Sequence, residues 1–136
     1  MVPQSSIYLG QLRCRTAHDP SNVELVTDAP RDNHGRGESF SPTDLVVTAL
    51  TTCMVTTAGI AAQRDGVKLD GTRMYAEKHM STGPPRRISK IVVRIEFAPN
   101  IPQEYRPKLE HIVRSCPVAL SIHPDIALDL ALKYPD

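Results

Sequence analysis

The most constraining feature of this sequence is an uncharged run from Leu45 to Ala62 near the middle of the chain. Ser41 precedes it and is suited to the N-cap of a helix, and Pro42 fits the first helical position. Asp44 completes a capping box, in which its carboxylate bonds back to the N-cap residue. The sequence therefore predicts one long helix that covers the uncharged run and ends near Gly66, a residue suited to the position after a helix.

The uncharged run is long enough for a transmembrane helix, but its composition argues against one. Threonines and alanines dilute its hydrophobicity, and no belt of aromatic residues flanks it. A helix without charge on any side is expected to be buried on every side. Because a chain of 136 residues can hardly enclose such a helix alone, the sequence predicts a second subunit that completes its burial.

Segments on both sides of this helix alternate apolar and polar residues, which is the period of a half-buried strand. Before the helix, "SSIYLGQLRCR" and "VELVTDAP" predict two strands that form a hairpin. After the helix, "VKLDGTRMYAEKHM" and "RRISKIVVRIEFAP" predict a second hairpin around a proline-rich turn.

The last third of the chain predicts a second helix and a closing strand. The helix covers "PQEYRPKLEHIVRSC" and the strand covers "IALDLALKY". One face of this helix is apolar and carries Tyr105, Leu109, Ile112, Val113 and Cys116. The order β-β-α-β-β-α-β predicts a single α+β domain over residues 1–136, with mainly antiparallel sheets around a long buried central helix.

Composition excludes several classes of function. The formal net charge is +1 with no basic arm, and there is no tryptophan, so a nucleic-acid partner is not expected. No cationic start is followed by an apolar run, so we expect neither a signal peptide nor a membrane partner. Three scattered cysteines without a C-x-x-C pair do not suggest a disulfide framework or a zinc module. We therefore expect a cytoplasmic protein without a metal or cofactor.

The three cysteines differ in their surroundings. For Cys14, on the first strand, the role of a small core residue is favoured, and for Cys53 taken alone the same role is modestly favoured. Cys116 lies at a helix terminus before Pro117, where backbone N–H groups can stabilise a thiolate. It also lies on the core-facing side of its helix. Two thiols on two core-facing helices are a possible nucleophile and resolving pair, but the pattern alone leaves this open.

Two motifs around these cysteines resemble those of a known family. "SPTDLVVTALTTCM" is similar to the cysteine helix of the OsmC/Ohr family of thiol-dependent peroxidases, and "SCPVALSI" is similar to that family's second cysteine segment. "PPRRISKIVVRIEF" is similar to its central hairpin. The resemblance covers nearly the whole chain, and it is closer to the OsmC-like branch than to the best hydroperoxide reductases.

The resemblance implies an OsmC-like fold, an intertwined homodimer and a peroxidase reaction. In that reaction Cys53 attacks a hydroperoxide, organic or hydrogen peroxide, and becomes a sulfenic acid. Cys116 then condenses with the sulfenic acid to a disulfide, which a dithiol such as dihydrolipoamide reduces. No metal or organic cofactor is implied.

The resemblance also implies an arginine that stabilises the thiolate and a glutamate that holds the arginine. Arg13 and Arg15 both flank Cys14, and Arg15 is slightly favoured because it lies nearer the hairpin turn. Thr43 stands where the family carries its glutamate, so Glu38 in the preceding loop is the candidate replacement. The alternative for each arginine is a solvated side chain on a strand, and the alternative for Glu38 is an exposed carboxylate in a loop.

A second hypothesis keeps the fold without the enzyme. In it, the chain is a non-enzymatic OsmC-like protein that binds a small apolar ligand or senses redox state at the dimer interface. Cys53 and Cys116 then act as a redox sensor or have no chemical role. The same sequence features fit both hypotheses, which differ only in whether the chain consumes peroxide.

Overall fold

The computed structural model describes residues 1–136, which form two compact units, Met1–Val46 and Val47–Asp136. The first unit contains three strands and the start of a long helix. The second contains the rest of that helix, three more strands and a shorter helix. The fold is α+β, as the sequence predicted.

The strands of the first unit are β1 (Gln4–Gly10), β2 (Arg13–His18) and β3 (Val23–Asp28), joined in an antiparallel sheet of that order. The sequence predicted a single strand where β1 and β2 lie, and this was wrong. Gln11 and Leu12 take positive φ angles of 52° and 62°, which is the backbone of a tight two-residue hairpin turn. Neither residue is among those that favour positive φ, and the turn signal in the sequence is the preceding residue, Gly10, which has φ +82°.

The long helix, α1 (Pro42–Arg64), begins and ends as predicted. The Ser41 hydroxyl accepts a hydrogen bond from the Asp44 N–H at 3.1 Å, and the Asp44 carboxylate accepts one from the Ser41 N–H at 2.8 Å. These two bonds form the capping box. At the other end Gly66 has φ +74°, and the Val67 N–H reaches back to the Ala62 carbonyl at 2.8 Å. This pattern of backbone bonds closes the helix with a left-handed glycine.

The second unit holds β4 (Arg73–Met80), β5 (Ile88–Glu96), helix α2 (Arg106–Arg114) and β6 (Ala127–Lys133). β4 pairs with β5 in antiparallel fashion, while β6 pairs with β5 in parallel. The parallel pair differs from the mainly antiparallel arrangement expected from the sequence. It follows from the connection, because α2 lies between β5 and β6 and carries the chain back to the end where β5 starts.

The core of the second unit lies between its sheet and the two helices. β5 contributes alternate residues, α1 contributes residues of one side, and α2 contributes its apolar face. The central members are Leu50, Met54, Ala58, Ile91, Val93, Ile95, Leu109, Val113 and Cys116. The predicted apolar face of α2 is therefore confirmed, with Leu109, Val113 and Cys116 fully buried.

Helix α1 is buried on one side and exposed on the other in the single chain. Ala49, Thr52 and Thr56 are exposed, and Ile60 keeps 67% of its surface accessible. The expectation of burial on every side is therefore not met by one chain alone. By length and composition α1 would also suit a membrane span, but the buried residues on its other side identify it as a core helix.

A polar cluster joins the end of α1 to the start of α2. The Asp65 carboxylate accepts a hydrogen bond from the Tyr105 hydroxyl at 2.7 Å and from the Lys108 ammonium at 2.5 Å. Lys108, Tyr105 and Arg64 lower the pKa of Asp65 to about 2. Burial, together with the Asp65 carboxylate, raises the pKa of Tyr105 to about 12. The cluster therefore fixes the two helices through a charged carboxylate.

We expect this cluster to make stability depend on pH in the acid range. The pKa of Asp65 falls from 3.8 to about 2 on folding, so its contribution is complete above about pH 4 and is lost as the pH falls toward 2. Asp65→Asn should lower the denaturation midpoint at neutral pH and should flatten the loss of stability between pH 4 and 2. Urea unfolding followed by circular dichroism at several pH values measures both effects.

Asp70→Asn is the control, because Asp70 is an exposed carboxylate in the same connection with no ion pair. It should leave both the midpoint and its pH dependence unchanged. If the denaturation midpoints of wild type and Asp65→Asn fell in parallel from pH 4 to pH 2, the cluster would contribute nothing to the pH dependence of stability.

Candidate active site

The second unit brings two thiols together. Cys53 lies halfway along α1 and is half-buried beside the exposed side of the helix, while Cys116 follows the end of α2 and is fully buried. Both are free cysteines, and their side chains are close enough to affect each other's ionisation. Each is held by a core helix, because the helices pack against one sheet. The third cysteine, Cys14, lies on β2 in the first unit.

The turn after α2 aims backbone N–H groups at the two sulfurs. The Ala119 N–H donates a hydrogen bond to the Cys116 sulfur at 3.4 Å. The Val118 N–H donates one to the Cys53 sulfur and lowers the pKa of that thiol. Pro117 has no N–H and restricts the backbone at the start of this turn. The turn is fixed by its own bonds, since the Val118 carbonyl accepts from the N–H groups of Ser121 and Ile122 at 2.9 and 3.0 Å. The turn therefore supplies the donors that the sequence assigned to the helix terminus.

The two thiols have opposite tendencies to ionise. Burial raises the pKa of Cys53, but the Val118 N–H, the Thr57 hydroxyl and the Cys116 thiol lower it, and the net result lies below the ordinary value. The Thr57 oxygen is 3.8 Å from the Cys53 sulfur. For Cys116, burial and the neighbouring Cys53 outweigh the Ala119 N–H, and its pKa is raised. The pKa of Cys53 therefore lies below that of Cys116.

An arginine and two carboxylates form a separate group within the first unit. The Arg13 guanidinium donates to the Glu38 carboxylate at 2.5 Å and to the Asp28 carboxylate at 3.3 Å. The Glu38 N–H also donates to Asp28, at 3.0 Å. Asp28 is only 1% exposed, and the Glu38 N–H and Arg13 hold its pKa below the ordinary value against the effect of burial. Arg13 is therefore held from two sides.

Of the two candidate arginines, the structure pairs only Arg13 with Glu38. Arg15 is exposed on the same strand and makes no ion pair. Asp28 was missed by the sequence reasoning, although the hairpin register could have found it. Pairing His18 with Val23 across the turn places Asp28 directly opposite Arg13.

No group of three or more histidine, cysteine, aspartate or glutamate side chains is arranged to hold a metal ion in the structure. The second unit places two thiols next to each other. The pKa of the half-buried thiol, Cys53, is lowered and that of the fully buried thiol, Cys116, is raised.

Comparison with known proteins identifies the family. The family model described as OsmC-like protein matches residues 35–131. A crystal structure of a protein from Psychrobacter arcticus 273-4, named for an osmotic stress induced and detoxification response, is 39% identical in sequence. It has a TM-score of 0.91, with 97% of this chain and 96% of that chain covered. The chain belongs to the OsmC-like family.

More distant structures share the fold. An organic hydroperoxide resistance protein OsmC from Legionella pneumophila is 15% identical, with a TM-score of 0.77 over 98% of this chain and 96% of that chain. The organic hydroperoxide resistance protein OhrB of Bacillus subtilis is 12% identical, with a TM-score of 0.71 over 98% of both chains. No curated protein matches the chain. These relatives confirm the OsmC/Ohr fold expected from the sequence motifs.

Proposed function

We propose that the protein is a thiol-dependent peroxidase that reduces organic hydroperoxides and hydrogen peroxide. The observation that carries this proposal is the pair of adjacent thiols with opposite pKa shifts, Cys53 lowered and Cys116 raised. A nucleophile must be a thiolate to attack an O–O bond, and a resolving thiol must lie next to it. The names of the Legionella and Bacillus proteins, which share the fold, support a hydroperoxide as the substrate.

The proposed reaction has three steps. The Cys53 thiolate attacks one peroxide oxygen, which breaks the O–O bond and leaves a sulfenic acid, while an alkoxide or hydroxide departs and takes up a proton. Cys116 then attacks the Cys53 sulfur, and water leaves as the S–S bond forms. A dithiol, of which dihydrolipoamide is an example, reduces this disulfide and becomes a disulfide itself.

A cation would lower the pKa of the Cys53 thiol further than its hydrogen bonds do, and we propose that the arginine group of the first unit supplies it. The sequence slightly favoured Arg15, with Glu38 as its partner. The ion pairs of Arg13 with Glu38 and Asp28 favour Arg13 instead, because a guanidinium held from two sides loses little freedom when it binds an anion. Glu38 keeps its proposed role as the group that holds the arginine.

We further propose that the working form is a homodimer in the cytoplasm. The exposed side of α1 carries Ala49, Thr52, Thr56 and Ile60, and none of these side chains is charged. A helix side of this composition is expected to lie in an interface, because its burial desolvates no charge and its apolar area favours association. The small residues allow a close approach of a second chain.

Native mass spectrometry before and after one equivalent of cumene hydroperoxide tests both proposals. We expect the mass of two chains before oxidation. After oxidation each chain should have lost two hydrogen atoms, and peptide mapping should place the new disulfide between Cys53 and Cys116. A single-chain mass would contradict the dimer. A persistent sulfenic acid without the disulfide would remove Cys116 from the mechanism, and oxidation without turnover by added dithiol would favour a redox sensor.

A further inference from the structure

We propose that the Thr57 hydroxyl is a further catalytic group of this site, which donates a hydrogen bond to the Cys53 thiolate. This role rests on the proposed function, because the thiolate is the group that attacks the peroxide. Thr57 lies on α1, one helical turn after Cys53, and its Oγ1 atom is 3.8 Å from the Cys53 sulfur. Both residues belong to one helix of one chain, so the contact does not depend on what covers the exposed side of α1.

The hydroxyl of Thr57 is bonded differently from that of another threonine on the same helix. Thr51 donates to the backbone carbonyls of Val47 and Thr48, at 3.3 and 3.1 Å. Bonds to carbonyls three or four residues earlier are the usual local bonds of a threonine inside a helix. Thr57 makes no such bond, and the only hydrogen-bond partner of its hydroxyl is the Cys53 sulfur. Its proton is therefore available to that sulfur.

The direction of this hydrogen bond follows from the charge of the sulfur. A neutral thiol can donate to the hydroxyl oxygen or accept from it, but a thiolate has no proton and can only accept. Ionisation of Cys53 therefore converts the contact into a charge-assisted hydrogen bond from Thr57, which is stronger than a bond between neutral groups. The hydroxyl keeps its proton during the attack on peroxide, so the balance of that step is unchanged.

The position of Cys53 within α1 shows what this donor supplies. Cys53 lies near the middle of the helix, which covers Pro42–Arg64. The field of a helix N-terminus acts mainly within the first turn, and no residue from Leu45 to Ala62 is charged. Within α1, stabilisation of the thiolate is therefore left to a neutral donor, and Thr57 is the residue whose hydroxyl reaches the sulfur. The lowered pKa of Cys53 agrees with this role.

A hydrogen bond to the thiolate has two opposite effects on the rate of Cys53. It increases the thiolate fraction at neutral pH, but a thiolate of lower pKa is also a weaker nucleophile. With a Brønsted coefficient of about 0.4–0.5, a tenfold change in acidity changes the intrinsic rate of attack on a disulfide only about threefold. Loss of the Thr57 hydroxyl should therefore slow Cys53 at neutral pH and accelerate it once the thiol is fully ionised.

The test follows the pH profile of a chain in which Cys14→Ser and Cys116→Ser leave Cys53 as the only thiol. Its rate with 5,5′-dithiobis(2-nitrobenzoate) is measured from neutral pH to the alkaline plateau. Valine has the shape of threonine without the hydroxyl, so Thr57→Val should lower the rate about threefold at neutral pH and raise it about threefold at the plateau. Thr57→Ser keeps the hydroxyl and should restore the original profile. All variants share the same approach of the reagent to Cys53, so access does not enter the comparison.

Thr51→Val is the matched control, because it removes a hydroxyl that is bonded to helix carbonyls, and it should leave the profile unchanged. Thr57→Ala removes the same hydroxyl as Thr57→Val and should reproduce its two opposite changes in rate. An unchanged profile in Thr57→Val, or a rate reduced equally at every pH, would overturn the proposal. Because no peroxide is used, a chain that fails to reduce peroxide would refute the proposed function, while the pH profile would still decide whether Thr57 donates to the thiolate.

Discussion

Cys53→Ser is expected to abolish the consumption of cumene hydroperoxide in the presence of a dithiol, with a loss of at least about a hundredfold in rate. A serine hydroxyl does not ionise near neutral pH and cannot form a sulfenic acid, so both the attack on the O–O bond and the later disulfide are lost. Disappearance of peroxide, followed by a colorimetric assay under multiple turnover, measures the effect. Circular dichroism checks that the variant keeps its fold.

Two matched variants separate the role of Cys53 from that of thiols in general. Cys14→Ser removes a half-buried thiol of the first unit and should leave the rate near that of the wild type. In dithiol-free buffer the wild type and Cys116→Ser should each consume about one equivalent of peroxide at the same initial rate, but the wild type should end as the Cys53–Cys116 disulfide and the variant as the Cys53 sulfenic acid. Equal slow rates for wild type and Cys53→Ser would end the peroxidase proposal and leave the ligand-binding or sensing hypothesis.

The parts of the fold that were predictable are those determined by neighbouring residues in the sequence. The capping box of Ser41 and Asp44, the glycine at position 66 and the apolar face of α2 all depend on residues within a few positions of one another. The hairpin turn at Gln11 and Leu12 was missed, because Gly10 is its one local signal and the left-handed backbone of the two turn residues follows from the pairing of β1 with β2. The conformation of this turn therefore depends on strand pairing as well as on its own residues.

In the candidate site, too, features set by neighbouring residues were predictable, and features set by tertiary packing were not. Cys116 was placed near the core by the periodicity of α2, and the structure brings it next to Cys53. The N–H donors of Val118 and Ala119 depend on how the turn after Pro117 packs against α1, which no local pattern encodes. The choice of arginine likewise depended on strand register, since Arg13 and Arg15 lie on the same strand only two residues apart.

Arg13→Met is expected to raise the pKa of Cys53 and to reduce its thiolate fraction at neutral pH by about tenfold or more, because we propose this guanidinium as the cation of the thiolate, and a cation favours the charged form of a thiol. Arg15→Met is the matched control and should have little effect, since Arg15 is exposed and unpaired. Absorbance of the thiolate at 240 nm against pH, in a chain that lacks Cys14 and Cys116, measures the ionisation of Cys53 alone. The rate of peroxide reduction in the otherwise unaltered chain should fall in parallel for Arg13→Met.

Variants of the two carboxylates show how the arginine acts. Glu38→Gln and Asp28→Asn each remove one partner of Arg13, so each should give a smaller effect than Arg13→Met and should alter the rate without altering the site of oxidation. Arg13→Lys should recover part of the activity, because it keeps the charge and loses the two-sided hydrogen bonding. A larger effect of Arg15→Met would restore the assignment that the sequence slightly favoured. No effect of either arginine would mean that Val118, Thr57 and the neighbouring thiol alone keep Cys53 ionisable, since these groups lower its pKa without any cation.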